Sequence, residues 1–242
     1  VESAIFLNEN KLAQYKVWET EYRNPRLITN SDEPQLDFKH FVKWLRKQQK
    51  VELDGLKVLD LGSGTGKNSF FLAERGSIVN GIELSTTAVK IANERAGERQ
   101  LDVQFIEGDI GKKFPFESNS FDLIIDVVSS NSLTQIERAN YIKECKRVLK
   151  PEGFMFVKAL CKDGDKNAEN LIEKFPGPEK DTYIMPETGI VERVFTKKDL
   201  ETTFRDFKIV RLERKTSYTQ FAGKPFKRAF WIVYLSFKPA SL

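Results

Sequence analysis

The 242-residue chain has one histidine, His40, and two cysteines, Cys145 and Cys161. A single imidazole leaves no His-Asp dyad unless His40 supplies it, and it sits among lysines on an amphipathic segment, where a rim or surface position suits it. Two cysteines without metal-ligand spacing give neither a disulfide framework nor a zinc site, so no metal is expected and the thiols read as reduced and cytoplasmic. No stretch approaches 18 apolar residues and no N-terminal run has signal-peptide character, which argues against a membrane partner. Repeats, low-complexity tracts and a domain linker are missing as well. Net charge is only +4. It is uneven: residues 190–242 hold 12 Lys/Arg against 5 Asp/Glu, while residues 51–189 are net acidic. That basic segment is either a solvated face or an attractor for an anionic substrate.

What is present centres on Val58-Leu59-Asp60-Leu61-Gly62-Ser63-Gly64-Thr65-Gly66. A strand runs into three glycines spaced two apart, and a helix follows at once. Such a turn lets a ligand lie against the backbone. A dinucleotide fingerprint would need a glycine at position 67, where Lys67 stands, and no Gly-Lys-Ser/Thr completes a Walker loop. Asp60, ending the strand, repels a pyrophosphate and suits a ligand with positive charge.

At these residues the chain resembles the class I S-adenosylmethionine (SAM)-dependent methyltransferases, whose first motif places an acid before Gly-x-Gly-x-Gly. The resemblance spans about Leu53 to Phe237. It implies a doubly wound α/β fold: a mostly parallel, seven-stranded sheet with helices on both faces and the last strand antiparallel. It implies that SAM lies on Asp60, Gly62, Ser63, Gly64, Thr65, Gly66 and Asn68, leaving S-adenosylhomocysteine as product. Glu83, with Leu84 beside it, ends the second strand about 20 residues on, where a carboxylate accepts both hydroxyls of a ribose. Asp109 and Ile110 follow the third strand, in position for the adenine amine and ring. Asp126, near the end of the fourth strand, is a further candidate to hold the cofactor, at the head of the stretch that touches the reacting centre in this family. Lys67-Asn68-Ser69 also resembles the Gly-Arg-Asn-Ser segment of tellurite-resistance and thiol-methylating enzymes.

Residues 1–50 read as a helical cap segment and 51–242 as the SAM-binding domain, with an inserted substrate-side segment at about 162–190. Tyr15, Trp18 and Tyr22 share one face of a helix over Leu12–Tyr22. Two readings stand: packing on the domain, or a lid over the cofactor, with Tyr15 and Trp18 against it and Tyr22 towards the acceptor. Arg23 and Arg26 follow, as anion grips or as a surface loop. Ser31-Asp32-Glu33-Pro34 predicts a helix start. Ser129, Ser130 and Asn131, after strand four, are candidates to orient the acceptor, as is Tyr183 with Met185 in the insertion. There is no Asn/Asp-Pro-Pro-aromatic tetrapeptide and no cysteine nucleophile in that stretch, so adenine amino-methylation and pyrimidine C5 methylation are not expected.

The expected function is methyl transfer from SAM to a small-molecule acceptor that ionises readily: a thiol, a carboxylate, an acidic hydroxyl or similar. Two alternatives stand beside it, an RNA or protein methyltransferase using the basic C-terminal face, and a SAM-binding protein without catalysis.

Overall fold

The computed structural model describes residues 14–24, 33–186, 188–221 and 224–237, apart from the side chains of 219–221 and 224–226. Leu12, Arg26, Ser31 and Asp32 lie outside the described residues. Residues 14–23 form helix α1. Then come α2 (Leu36–Gln48), β1 (Lys57–Leu61), α3 (Lys67–Ala73), β2 (Ile78–Glu83), α4 (Thr86–Arg99), β3 (Val103–Glu107) and β4 (Phe121–Val127). A 3-10 turn, Ser130–Ser132, precedes α5 (Gln135–Val148), β5 (Leu149–Leu160), α6 (Lys166–Lys174), β6 (Thr182–Ile184) and β7 (Val191–Arg193). The chain closes with α7 (Lys197–Thr203), β8 (Phe207–Phe221) and β9 (Lys224–Phe237).

Seven strands form one sheet in the order β3-β2-β1-β4-β5-β9-β8, and β6 and β7 pair separately. The contacts among β1 to β5 are parallel, and β9 runs antiparallel to both β5 and β8. The chain therefore reverses its winding between β1 and β4, and the crevice beyond their carboxyl ends is where an open α/β sheet takes its ligand.

Strands buried on both faces read as apolar runs, and β4, Phe121–Val127, does so through its centre. On one face α2 inserts Phe38, Phe41 and Leu45, all fully buried. The Phe41 ring lies 5.0 Å from Phe156 and 4.8 Å from Tyr234. Each such aromatic contributes about 1.5–3 kcal/mol by burial. On the other face Tyr141, Cys145 and Val148 of α5 pack with Leu59, Leu61 and Ile124. Both cysteines are free and buried.

Two boundaries differ from expectation. Helix α2 starts at Leu36 after Gln35, which makes no side-chain cap. The Gln35 amide oxygen accepts from Lys158 Nζ instead, at 2.6 Å. The last two strands are longer than their apolar alternation indicates, pairing as a hairpin from Phe207↔Phe237 out to Phe221↔Lys224. Beyond Arg214 the two arms satisfy each other's backbone, so the extension needs no apolar face. The 162–190 excursion holds α6 and β6, whose Tyr183 pairs with Glu192 of β7.

Candidate functional site

The glycine turn after β1 is built for close approach. Gly62 and Gly64 hold φ of +67° and +55°, where a side chain is strained. A Cβ on Gly62 would stand 2.4 Å from the Ser129 Cβ, and one on Gly64 would stand 2.6 Å from the Tyr22 hydroxyl. Gly66 serves packing: its missing Cβ makes room for the rings of Phe105 and Phe70. One wall of a large cavity, about 1520 Å3, starts at Gly62, Ser63, Gly64, Thr65 and Asn68 and takes in Glu83, Leu84, Asp109 and Ile110. Ser63 Oγ and Asn68 Oδ1 are buried there without a hydrogen-bond partner among the described residues. Glu83 is buried; its Oε1 accepts from Ser85 N at 2.9 Å and its Oε2 from Gly64 N at 3.0 Å. Burial raises its pKa, against the lowering effect of those amides.

Asp60 is placed differently from expectation. It lies beneath the turn, 2% exposed, and is not among the residues lining the cavity. Its carboxylate accepts from Ser69 Oγ at 2.7 Å. Burial pushes its pKa up to about 7; Asp126 and Glu83 add to the rise, while Ser69 and Lys67 oppose it.

Asp126 is also withdrawn from the cavity. It is fully buried, and its Oδ1 accepts from Ser129 N and Ser130 N while its Oδ2 accepts from the Tyr141 hydroxyl at 2.7 Å. The reason is the turn itself. Val128, a β-branched residue at φ +66°, donates its N–H to the Lys158 carbonyl. A backbone so strained, at roughly 1–3 kcal/mol, persists where its neighbours hold it, and Asp126 is that hold. Ser130 belongs to the same support, since its carbonyl accepts from the buried Arg138. Ser129 and Asn131 do line the cavity. The Asn131 amide is buried without a partner among the described residues.

Helix α1 roofs the site. Trp18 and Tyr22 line the cavity, their ring centroids 6.3 Å apart. The Tyr22 hydroxyl is pushed well above its usual range by burial, then by Glu83, Glu21 and Asp60. Tyr15 and Arg23 are not in the cavity wall. The Tyr15 hydroxyl lies 3.0 Å from Thr86 Oγ1, and Arg23, largely exposed, pairs with the buried Glu19. Tyr183 is also outside the wall. It is fully buried, its hydroxyl donating to Glu192 and accepting from Arg228, because β6 turns it inward. Met185 lines the cavity and His40 sits exposed at its edge.

Sequence reasoning missed what fastens α1. Glu19 is buried against the first turn of α4, accepting from Ser85 Oγ at 2.6 Å, Thr87 Oγ1 at 2.5 Å and Thr87 N at 3.1 Å. An acid there also meets the positive end of the helix. Ser85 signals the helix start in sequence, but nothing local links it to a residue 66 positions away. Burial alone would raise the Glu19 pKa; the hydrogen bonds from Ser85 and Thr87 and the Arg23 charge outweigh it and bring it to about 2. A folded pKa below the free value gives stabilisation present above about 4.5 and lost as pH falls towards 2. Glu19→Gln is expected to speed amide exchange in residues 14–23 about tenfold or more, with Val58–Leu61 unchanged. Exchange at the wild-type rate in α1 would remove the latch from Glu19.

Lys158, Asp37 and Lys215 were also missed. They line the same cavity where β5, α2 and β8 meet. Lys158 is 7% exposed and donates to Gln35 Oε1 and to Asp37 Oδ2 at 2.9 Å; Lys215 Nζ reaches Asp37 Oδ1 at 3.3 Å. Burial would raise the Asp37 pKa, but the two lysines hold it low. Among the described residues no group of three or more His, Cys, Asp or Glu can hold a metal, and no helix is long and apolar enough to cross a membrane.

Residues 58–153 match a family described as a methyltransferase domain. Over 127 residues the chain is 32% identical to phthiotriol/phenolphthiotriol dimycocerosates methyltransferase 1 of Mycobacterium ulcerans, covering 52% of this chain and 44% of that protein. It is 30% identical over 113 residues to the ubiquinone biosynthesis O-methyltransferase of Coxiella burnetii, covering 47% of each. The chain thus spans about half the length of the curated relatives it matches. A solved SAM-dependent methyltransferase of Methanosarcina mazei superposes with a TM-score of 0.69 at 25% identity, over 78% of this chain and 95% of that one.

Proposed function

Since the chain belongs to the class I SAM-dependent methyltransferases, we propose that it methylates a small organic acceptor held beside SAM in the cavity under α1. The observation that carries this is the cavity's extent. At about 1520 Å3 it runs from the glycine turn to the β8–β9 hairpin, more than the ~300–1,000 Å3 of a single-ligand pocket. A cofactor at one end leaves room for a second molecule.

The residues fit SAM. Gly62 and Gly64 leave a cradle that any Cβ would fill. The orphaned Ser63 Oγ can donate to a carboxylate and the orphaned Asn68 Oδ1 can accept from an ammonium. Glu83 accepts backbone amides on both oxygens and, as a carboxylate with about four acceptor sites, keeps capacity for a ribose hydroxyl. Thr65 and Leu84 complete that wall, and Asp109 and Ile110, further along it, would take the adenine. Trp18 and Tyr22 close the site from above and exclude water. Bound SAM would supply an electrophilic methyl on a sulfonium, open to in-line attack by the acceptor's nucleophilic atom with the neutral thioether of S-adenosylhomocysteine as the leaving group. Positioning and a dry wall are the protein's contributions. Ser129, Asn131 and Met185 stand on the acceptor side.

Part of the basic C-terminal charge is committed within the fold and not free for RNA. Arg214 donates to the Asp163 and Gly164 carbonyls, Arg211 pairs with Glu213, and Arg228 is buried. Incubation with methyl-labelled SAM, a panel of thiols, phenols and carboxylates, and bulk tRNA is expected to label small molecules alone. Label confined to RNA would overturn the reading, and SAM binding with no S-adenosylhomocysteine from any acceptor would favour a binding protein.

Asp60 makes the cofactor assignment testable by pH. Its free carboxyl value is 3.8 and its folded value about 7, so its contribution to stability is full below 3.8 and lost as pH rises through 7. A cation above it favours ionised Asp60 and expels its proton. The ratio of SAM to S-adenosylhomocysteine affinity should therefore climb with pH from 5.5 to 7, by up to about tenfold per unit, and flatten above. The two ligands share their amine and carboxylate, so the ratio isolates the sulfonium. Titration calorimetry measures it; Asp60→Asn should flatten the curve, and a flat wild-type curve would refute the coupling.

A further inference from the structure

We infer that the acceptor half of the cavity is a subsite for an amphiphilic organic anion, its charged head on Lys158 and its apolar body leading out past Leu36, Phe175 and Tyr218. This rests on the reading of the cavity as a methyl-acceptor site and names the chemistry of the acceptor.

The head group follows from charge and donor accounting. An ammonium has three hydrogens. Among the described residues Lys158 gives two, to Gln35 and Asp37, and its Nζ lies 4.5 Å from the centroid of the Phe230 ring, in the cavity wall. Asp37 is shared by Lys158 and Lys215, so the cluster carries one positive charge in excess. In the same wall Arg228 and Glu192 offset each other and share the Tyr183 hydroxyl, and Glu33 pairs with Lys39; Asp165, beside Arg228, is buried outside the wall as the cap of α6. A buried lysine with one donor left and excess positive charge takes an oxyanion in preference to a neutral group. Burying that cation costs folding energy which an apolar residue at 158 would avoid, so its presence in a cavity wall is best explained by a ligand.

The body follows from the mouth. Soluble domains rarely gather large exposed apolar side chains. Among the described residues six are more than a third exposed, and three of those six, Leu36 at 65%, Phe175 at 39% and Tyr218 at 72%, line this one cavity. They come from α2, the end of α6 and β8, elements distant in sequence, so no single amphipathic segment accounts for them. Leu160 and Met185 continue the apolar wall inward. A ligand that is polar within and apolar at the exit matches this order.

Decanoate, decanol and acetate serve as probes: head with tail, tail alone, head alone. Binding is measured by calorimetry on the full chain, with and without saturating S-adenosylhomocysteine. Decanoate is expected to bind one to one, at least tenfold more tightly than decanol, and acetate not measurably. Lys158→Met should cost decanoate at least tenfold and leave decanol unchanged. Lys215→Met, at a half-exposed site that folding tolerates, should show the same selectivity to a smaller degree. Leu36→Ser combined with Tyr218→Ser should weaken both tailed probes about equally. Equal affinity for decanoate and decanol in the wild type, wild-type decanoate binding in both lysine variants, or binding at many sites would each overturn the subsite. S-adenosylhomocysteine that fails to bind would instead overturn the methyltransferase reading, leaving the probe results to stand by themselves.

Discussion

Gly62→Ala is expected to lower affinity for S-adenosylhomocysteine at least about a hundredfold and to destabilise the fold by about 2–4 kcal/mol. Two physical terms combine. At φ +67° a Cβ meets its own backbone, costing roughly 1–2 kcal/mol. The same Cβ would stand 2.3 Å from Ser129 Oγ and 2.4 Å from Ser129 Cβ. Ser129 cannot retreat freely, because its N–H is bound to Asp126 Oδ1 at 2.9 Å and Asp126 is tied to Tyr141. The strain must then move the glycine turn, which lines the cavity. Gly55→Ala separates the two terms. Its φ is +71° but a Cβ there has nothing within 4 Å, so it should lose stability without losing ligand affinity. Thermal unfolding and titration calorimetry read both quantities. Wild-type ligand affinity in Gly62→Ala would show that the cofactor does not lie against this turn.

Glu83→Ala should weaken cofactor binding by about a hundredfold or more, since two charge-assisted hydrogen bonds contribute roughly 1.5–3 kcal/mol each. The side chain cannot be replaced by water, because the carboxylate is buried and also fixes Gly64 N and Ser85 N. Glu83→Gln keeps the shape but loses the charge and one acceptor, so an intermediate loss is expected. A ligand comparison checks the assignment independently of folding. Wild-type protein should bind 5′-methylthioadenosine more tightly than its 2′-deoxy counterpart, and Glu83→Ala should bind the two alike. An undiminished preference in the variant would place the ribose elsewhere.

The legible part of the site is the part built by consecutive residues. Strand β1, the Gly62-to-Gly66 turn and the start of α3 follow from apolar run, glycine spacing and helix onset. Glu83 and Ser85 were equally legible, since one ends β2 and the other caps the helix that follows. Residues named for their place after a strand fared unevenly. Asp109, Ile110, Ser129 and Asn131 line the cavity. Asp126 and Ser130 support the turn, because a strained Val128 needs its neighbours' hydrogen bonds more than the cavity needs another acid. Which aromatics of α1 face inward depended on docking. Helical spacing puts Tyr15, Trp18 and Tyr22 on one stripe, but the Glu19 latch onto α4 sets Tyr15 against Thr86 and leaves Trp18 and Tyr22 over the glycine turn.

Sequence by itself determined the strands of the main sheet and their intervening helices, the glycine turn and the acid that ends β2, but not the separate β6–β7 pair. Each rests on backbone preferences and periodicity within a window of some twenty residues, where local energetics decide. Tertiary structure alone decided which carboxylates line the cavity and which are buried beneath the glycine turn. It also set Lys158 beside an aspartate 121 residues away and gathered Leu36, Phe175 and Tyr218 at one mouth. These depend on side-chain contacts between elements that only the closed sheet brings together. Their energies come from desolvation and pairing in a shared interior, which no local stretch of sequence encodes.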